Sequence, residues 1–219
     1  MKKYLQLLKH SKLFQGISET EIEPMLSCLS AVTCSYEKGE FVFRQGEQIT
    51  GIAVLLSGCV HIQKEDYWGN LSILNEITEG EVFGEVYACL GNEELLNHAV
   101  AVKPSVVLFM DVNRVLTVCP SACRFHGLLI RNLLNVMAFK NKMLTQKLQH
   151  MSQRTTREKL LSYLSEQSLK AGSPSFTIPF NRQQLADFLA VDRSAMSNEL
   201  GKMRDEGLLQ FDRSHFVLY

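Results

Sequence analysis

Between Ser121 and Gln153 the apolar positions fall into a steady rhythm. Ile130, Leu134, Met137, Leu144, Leu148 and Met151 are spaced alternately by four and three residues, with Asn141 in the same row, and the only glycine of the stretch is Gly127. That period predicts one long helix whose seam packs against a second helix of the same kind. In heptad terms Ile130, Met137, Leu144 and Met151 take d, and Leu134, Asn141 and Leu148 take a. A buried Asn at a is a device that fixes register and two-strandedness at some cost in stability. A second stripe, Leu129, Leu133, Val136 and Met143, runs beside the seam and is interrupted by Lys140. It predicts a further burial, against the domain that precedes the helix. The competing reading is a long core helix within a monomer.

Ahead of this helix the period changes. Leu5, Leu8 and Leu13 recur at near-helical spacing, and Ser18 with Glu21 has the form of a capping box opening a helix through Ile22, Met25 and Leu29. From Ala31 to Asp111 short β-rich runs alternate with turn signals, and eight of the thirteen glycines fall there. Strands are predicted at 32–36, 40–43, 51–56, 59–64, 71–77, 98–102 and 105–111, with Trp68, Gly69 and Asn70 at a hairpin tip. Such a β-roll or barrel can enclose one small ligand. The β pattern breaks between Glu81 and Leu90, where a short helix could turn the amides of Gly84, Glu85, Val86 and Tyr87 toward an anion. A short helix from Val112 to Val118 is expected to stop at Pro120.

Behind the long helix the signals are caps. Thr155 with Glu158 predicts a hinge over Ser152 to Thr155 and a helix from Thr156 to about Leu169, closed by Gly172. Asn181 with Gln184 opens a helix over 182–189, Ala190, Val191 and Asp192 make a tight turn, and a second helix runs from Arg193 to about Glu206. Met196, Leu200 and Met203 form its buried stripe. Ser194, Ser197, Asn198 and Gly201 lie opposite, small or hydrogen-bonding groups suited to the major groove of DNA. Leu208 to Phe211 and His215 to Leu218 pair as a wing. The predicted organisation is α+β: 1–120 a β-roll of jelly-roll or cupin type with N-terminal helices, 121–153 a dimerisation helix, 154–219 a winged helix-turn-helix.

Charge changes little in this picture. The chain of 219 residues has zero net charge, and its last 66 carry one more basic than acidic residue, so DNA binding must rest on motif geometry. The six cysteines, Cys28, Cys34, Cys59, Cys89, Cys119 and Cys123, are scattered singly, which suits reduced thiols in the cytoplasm. Only Cys119 and Cys123 are near each other, and a C-x3-C pair lacks two further ligands. With no His-x-His in the barrel, and with His61 and His98 unpaired in sequence, no metal site, catalytic residue or cofactor is expected. No apolar run reaches membrane-spanning length.

The order of these parts resembles the cyclic-AMP receptor protein and fumarate-nitrate regulator (CRP/FNR) family. The residues that carry the resemblance are Gly39-Glu40, Gly46-Glu47, Leu56-Ser57-Gly58 and Gly80-Glu81-Val82-Phe83-Gly84-Glu85 in the β-roll, with Asn181 to Ala186 and Asp192 to Ser197 in the helix-turn-helix. The resemblance implies a homodimer on a palindromic double-stranded operator, with RNA polymerase as protein partner. It implies DNA contacts at Arg193 and Ser197, with Ser194 and Asn198 standing where well-known members carry Glu and Arg. Lys202 is added from its place on the helix flank, as a phosphate contact.

In members that bind cyclic nucleotides, a Gly-Glu pair holds the ribose and a later Arg-Ser or Arg-Thr pair before Ala holds the cyclic phosphate. Here Gly84-Glu85 keeps the first pair, but Asn97-His98 precedes Ala99, so no guanidinium is offered for a bidentate grip. An effector other than cyclic AMP is expected, with Gly84, Glu85, Val86, Tyr87, Asn97, His98 and, from the long helix, Thr145 as candidate contacts. Cys28 and Cys34 are too few for the family's iron-sulfur cluster. The alternatives are an effector-independent or redox-responsive regulator, a protein-interaction module, and a metal-dependent cupin enzyme.

Overall fold

A computed structural model describes residues 2–65, 67–69, 71–117 and 125–219. Asn70, Val118, Pro120, Cys119 and Cys123 therefore lie outside the described residues, as do the predicted hairpin tip in part and the predicted start of the long helix. The chain forms two compact units, Met1–Ala138 and Phe139–Tyr219.

In the first unit two helices, α1 (Leu5–His10) and α2 (Glu19–Cys28), precede six strands: β1 (Val32–Tyr36), β2 (Phe41–Phe43), β3 (Gly51–Glu65), β4 (Leu71–Ile77), β5 (Val82–Phe83) and β6 (His98–Asp111). Helix α3 (Glu85–Leu90) lies between β5 and β6, and α4 (Val112–Leu116) follows β6. The capping box of α2 is present, with the Ser18 amide donating to Glu21 Oε2 at 2.9 Å.

The long strands β3 and β6 pair with each other and change their outer neighbours half-way. The first half of β3 pairs with β5 and its second half with β4, while β6 pairs first with β2 and then with β1, all antiparallel. The change occurs at a corner where the register shifts repeatedly between Leu55 and Val60. Gly58 sits there with φ +101°, and a Cβ on it would fall 2.6 Å from the Ser105 Cα, so the two strands approach as closely as they do only because this residue has no side chain. Each of these two strands was expected as a pair of shorter ones, broken at Ser57-Gly58 and at Lys103-Pro104. The glycine and the proline mark a bend in a continuous strand instead of its end.

Helix α5 (His126–Met151) runs through the end of the first unit and into the second. Leu129, Leu133 and Val136 are buried in the core formed by the β-roll and the N-terminal helices, as the second stripe predicts. The buried Asn132 side chain donates to the Leu13 and Gln15 carbonyls at 3.0 and 2.8 Å, which ties the helix to the N-terminal segment. Met143 differs from expectation: it is exposed, because beyond Lys140 the stripe has passed into the second unit.

The second unit holds α6 (Thr156–Ala171), α7 (Arg182–Leu189) and α8 (Arg193–Asp205) with a three-stranded sheet in the order β7 (Ser175–Thr177), β9 (His215–Leu218), β8 (Leu209–Asp212). Leu160, Leu164, Leu185, Leu189, Leu200 and Phe216 are fully buried in its core. Among the described residues no helix is long and apolar enough to cross a membrane.

Candidate functional site

The helix-turn-helix is built from local bonds. Asn181 Oδ1 accepts from the Gln184 amide at 2.9 Å while Gln184 Oε1 accepts from the Asn181 amide at 2.9 Å, so α7 begins where that reciprocal pair allows. At its other end Ala190 turns the chain with φ +50° and ψ +59°. Asp192 then caps α8, its Oδ1 accepting from the Ala195 amide at 2.7 Å. Met196, Leu200 and Met203 are fully buried, which turns the opposite face of α8 outward.

Ser194, Ser197 and Asn198 on that face are exposed, as are Arg193 at the start of the helix and Lys202 on its flank. The Ser197 hydroxyl donates to the Arg193 carbonyl at 2.9 Å and keeps its lone pairs for an outside donor. Lys202 Nζ lies 3.7 Å from Glu199 Oε2. Glu199 is held more closely by Arg157 of α6, whose Nε donates to it at 2.6 Å. Two further Arg157 nitrogens donate to the carboxylate of Glu206, at 2.9 and 2.7 Å. These bonds to Glu206 and then to Glu199 raise the guanidinium above its ordinary range, and the Arg157 bond holds the Glu206 carboxyl below its own. Arg157 thus ties α6 to α8, a link the sequence did not reveal because its partners lie 42 and 49 residues away. Arg182 is also structural: its guanidinium sits over the rings of Phe211 and Phe216 at 4.8 and 5.2 Å, and burial lowers its pKa.

The expected effector residues of the first unit lie at the start of α3 and at the entry to β6. Gly84 has φ +75°, and a Cβ there would come within 2.8 Å of the Phe43 ring, so the turn into α3 requires glycine twice over. Glu85 is buried, Val86 is exposed, and the Tyr87 hydroxyl accepts from the Leu96 amide at 3.4 Å, joining α3 to the segment that ends at Asn97 and His98. His98 Nδ1 accepts from the Gln45 amide at 3.1 Å, and its ring packs edge-on against Phe41 at 5.0 Å. The Arg44 guanidinium covers Phe41 at 4.1 Å. Thr145 belongs to the second unit and donates to Asn141 Oδ1 at 3.3 Å, one turn back on the same helix.

The seam positions of α5 divide by exposure in the single chain. Ile130, Met137 and Met151 are half-buried, Asn141 is exposed, and Leu134, Leu144 and Leu148 are 61, 62 and 65% exposed. Three leucines at heptad spacing on water are an unsatisfied apolar row.

Comparison with known proteins accounts for this pairing of parts. Residues 33–121 match the cyclic nucleotide-binding domain family, and residues 158–218 match the Crp-like helix-turn-helix domain family. The chain belongs to the CRP/FNR family of transcription regulators. Its fold is that of a complex of CprK with OCPA (TM-score 0.64, 16% identity, 90% of this chain and 89% of that one). It is also that of CLP, a c-di-GMP-responsive global regulator of Xanthomonas campestris (0.57, 18%, 91% and 98%). The Thermus thermophilus catabolite activator protein is similar over 95% of this chain and 94% of its own at 23% identity and TM-score 0.50. Comparison with curated protein sequences finds no significant match. The chain is thus a DNA-binding regulator with an effector-binding domain of this family's kind.

Proposed function

We propose that the protein is a homodimeric regulator that reads a palindromic operator with α8 and responds, through its β-roll, to a small molecule other than cyclic AMP. The observation that carries the reading is the exposure of Ser194, Ser197 and Asn198 opposite a fully buried stripe, with Arg193 at the helix start and Lys202 on the flank also exposed. The exposed seam at Leu134, Leu144 and Leu148 supports a second copy as the partner of α5, which places two reading helices about a two-fold axis. In the effector segment Asn97 stands where the family's arginine would, and the neighbouring His98 already accepts a backbone hydrogen bond, which disfavours a phosphate there. The hinge of the response is near Gln153, inside the second compact unit, where the Thr155 box restarts the chain as α6. Contact with RNA polymerase in the cytoplasm would complete the role.

Selection of binding sites from random duplex DNA, with the mass of the complex read by light scattering, tests the proposal. The expected result is an inverted repeat bound by two chains. Failure to enrich any duplex sequence would favour a protein-interaction module instead.

A further inference from the structure

The outer face of the β-roll carries a cluster that the regulator described above does not use. Cys59 and His61 lie two residues apart on β3 and so share a face, and Glu76 of β4 stands directly across from His61 in the register. The intervening Val60 and its cross-strand partner Ile77 point the other way, into the core. The Cys59 sulfur, a His61 ring nitrogen and a Glu76 carboxylate oxygen all lie within 4.8 Å of one another. His61 Nε2 is 3.0 Å from Glu76 Oε2.

We propose that Cys59, His61 and Glu76 form a three-ligand site for a divalent metal of the zinc class, with the fourth position open to water or an outside ligand. Thiolate, imidazole and carboxylate are the donor set that zinc accepts, and three protein ligands with one open place is the arrangement of its exchangeable sites. A tetrahedral ion with its sulfur at about 2.3 Å and nitrogen or oxygen at about 2.0–2.2 Å separates its ligand atoms by roughly 3.3–3.7 Å. Closing the cluster around an ion is therefore a matter of side-chain rotation of about an ångström, on a frame that is already fixed. The Cys59 amide donates to Ser105 Oγ at 3.1 Å, and that hydroxyl in turn donates to the Lys103 carbonyl at 2.7 Å, which anchors the sulfur-bearing residue at the bulged corner. One thiolate and one carboxylate neutralise a divalent ion. Binding of the ion as a thiolate complex would displace the thiol proton of Cys59. Once bound, the ion would clip β3 to β4 at the root of their hairpin.

Cobalt(II) added to the metal-free full-length protein is the test, because a cobalt–thiolate bond gives a charge-transfer absorption that no other ligand here produces. One ion per chain is expected, displaced by zinc. Cys59→Ser should abolish the thiolate band, and His61→Ala or Glu76→Gln should weaken binding at least 10-fold. Glu76 is exposed, so Glu76→Gln reports on the site without risk to the fold. The double variant Cys119→Ser, Cys123→Ser should keep the band. A band that survives Cys59→Ser, or that disappears with Cys119 and Cys123, overturns the assignment, as does unchanged affinity in Glu76→Gln.

Discussion

Nε2 of His150, in the last turn of α5, lies 2.8 Å from Oε2 of Glu166 in α6. The imidazole is buried, its Nδ1 is 2.8 Å from the Ser162 hydroxyl, and its ring meets Tyr163 edge-on at 5.7 Å. Glu166 also pairs with Lys170 one turn on. These bonds fix the end of α5 on the helix that opens the DNA-binding domain.

Burial raises the Glu166 carboxyl, but Lys170 and then His150 outweigh it, so the group sits below its ordinary value of 4.5. A depressed carboxylate stabilises the fold above its unfolded pKa, and the contribution is lost as pH falls through the folded value. Glu166→Gln should therefore be less stable than the parent at pH 7, by on the order of 1 kcal/mol given partial exposure. The difference should shrink below about pH 4. Urea unfolding at several pH values measures both; a gap that widens on acidification would contradict the sign.

The exposed seam predicts the oligomeric state. Light scattering at micromolar concentration should give twice the chain mass. Leu144→Glu removes one apolar side chain per protomer from the seam, about 1.5–3 kcal/mol each, and so should weaken the dimer on the order of 100-fold or more. Asn141→Leu should raise the Tm while admitting other oligomers. An Asn141→Leu protein that is less stable and still strictly dimeric would show that Asn141 is not in the seam.

Ala190 holds a left-handed conformation that costs a residue with a Cβ about 1 kcal/mol. Ala190→Gly relieves it at some cost in unfolded-chain entropy, and should raise stability by about 0.5 kcal/mol without changing DNA affinity. Chemical denaturation beside a binding titration decides the point.

Calorimetry with cyclic AMP should show no binding at micromolar concentration, because Asn97 and His98 offer no guanidinium and His98 Nδ1 is occupied by the Gln45 amide. Glu85→Ala should alter the response to the true effector more than it alters DNA affinity in the effector's absence. A micromolar dissociation constant for cyclic AMP would mean that another group, with Arg44 on its Phe41 platform the nearest candidate, supplies the missing charge.

What was legible in the sequence is what is decided within a few residues. The caps at Thr155 and Asn181 are reciprocal bonds across three positions, and α7 spans 182–189 as read from them. The buried stripe of α5 at Leu129, Leu133 and Val136 follows from its helical spacing. The corner at Gly58 and Pro104 misled because the same residues end strands and bend them, and only the pairing of β3 with β6 tells which. The Arg157 clamp and the Cys59, His61, Glu76 cluster were not legible at all. In both, the partner arrives through tertiary register, and for Glu76 that register depends on a bulge beside Ile62 that the sequence does not mark.

The reading of DNA separates residues that specify from residues that only position. Ser194 and Asn198 lie one turn apart on the face opposite Met196, Leu200 and Met203, so their side chains should reach base edges. Arg193 at the helix start and Lys202 at its flank are better placed for phosphates, with Arg193 also able to reach a guanine. Asn198→Ala should cost on the order of 1–3 kcal/mol on the selected operator and relax preference at one symmetric pair of positions, the scale of a bidentate hydrogen-bond pair to adenine. Lys202→Ala leaves Glu199 paired with Arg157, so its effect on binding is not confounded by an unpartnered carboxylate. It should weaken all sequences about equally and reduce the salt slope by roughly one for each phosphate no longer neutralised, or two per dimer. Half-site centres should lie about one helical turn apart, as two copies of α8 about a two-fold axis require. Binding titrations at several salt concentrations on selected and mismatched sites measure each quantity. An Asn198→Ala protein with unchanged base preference would move the reading face to another side of α8.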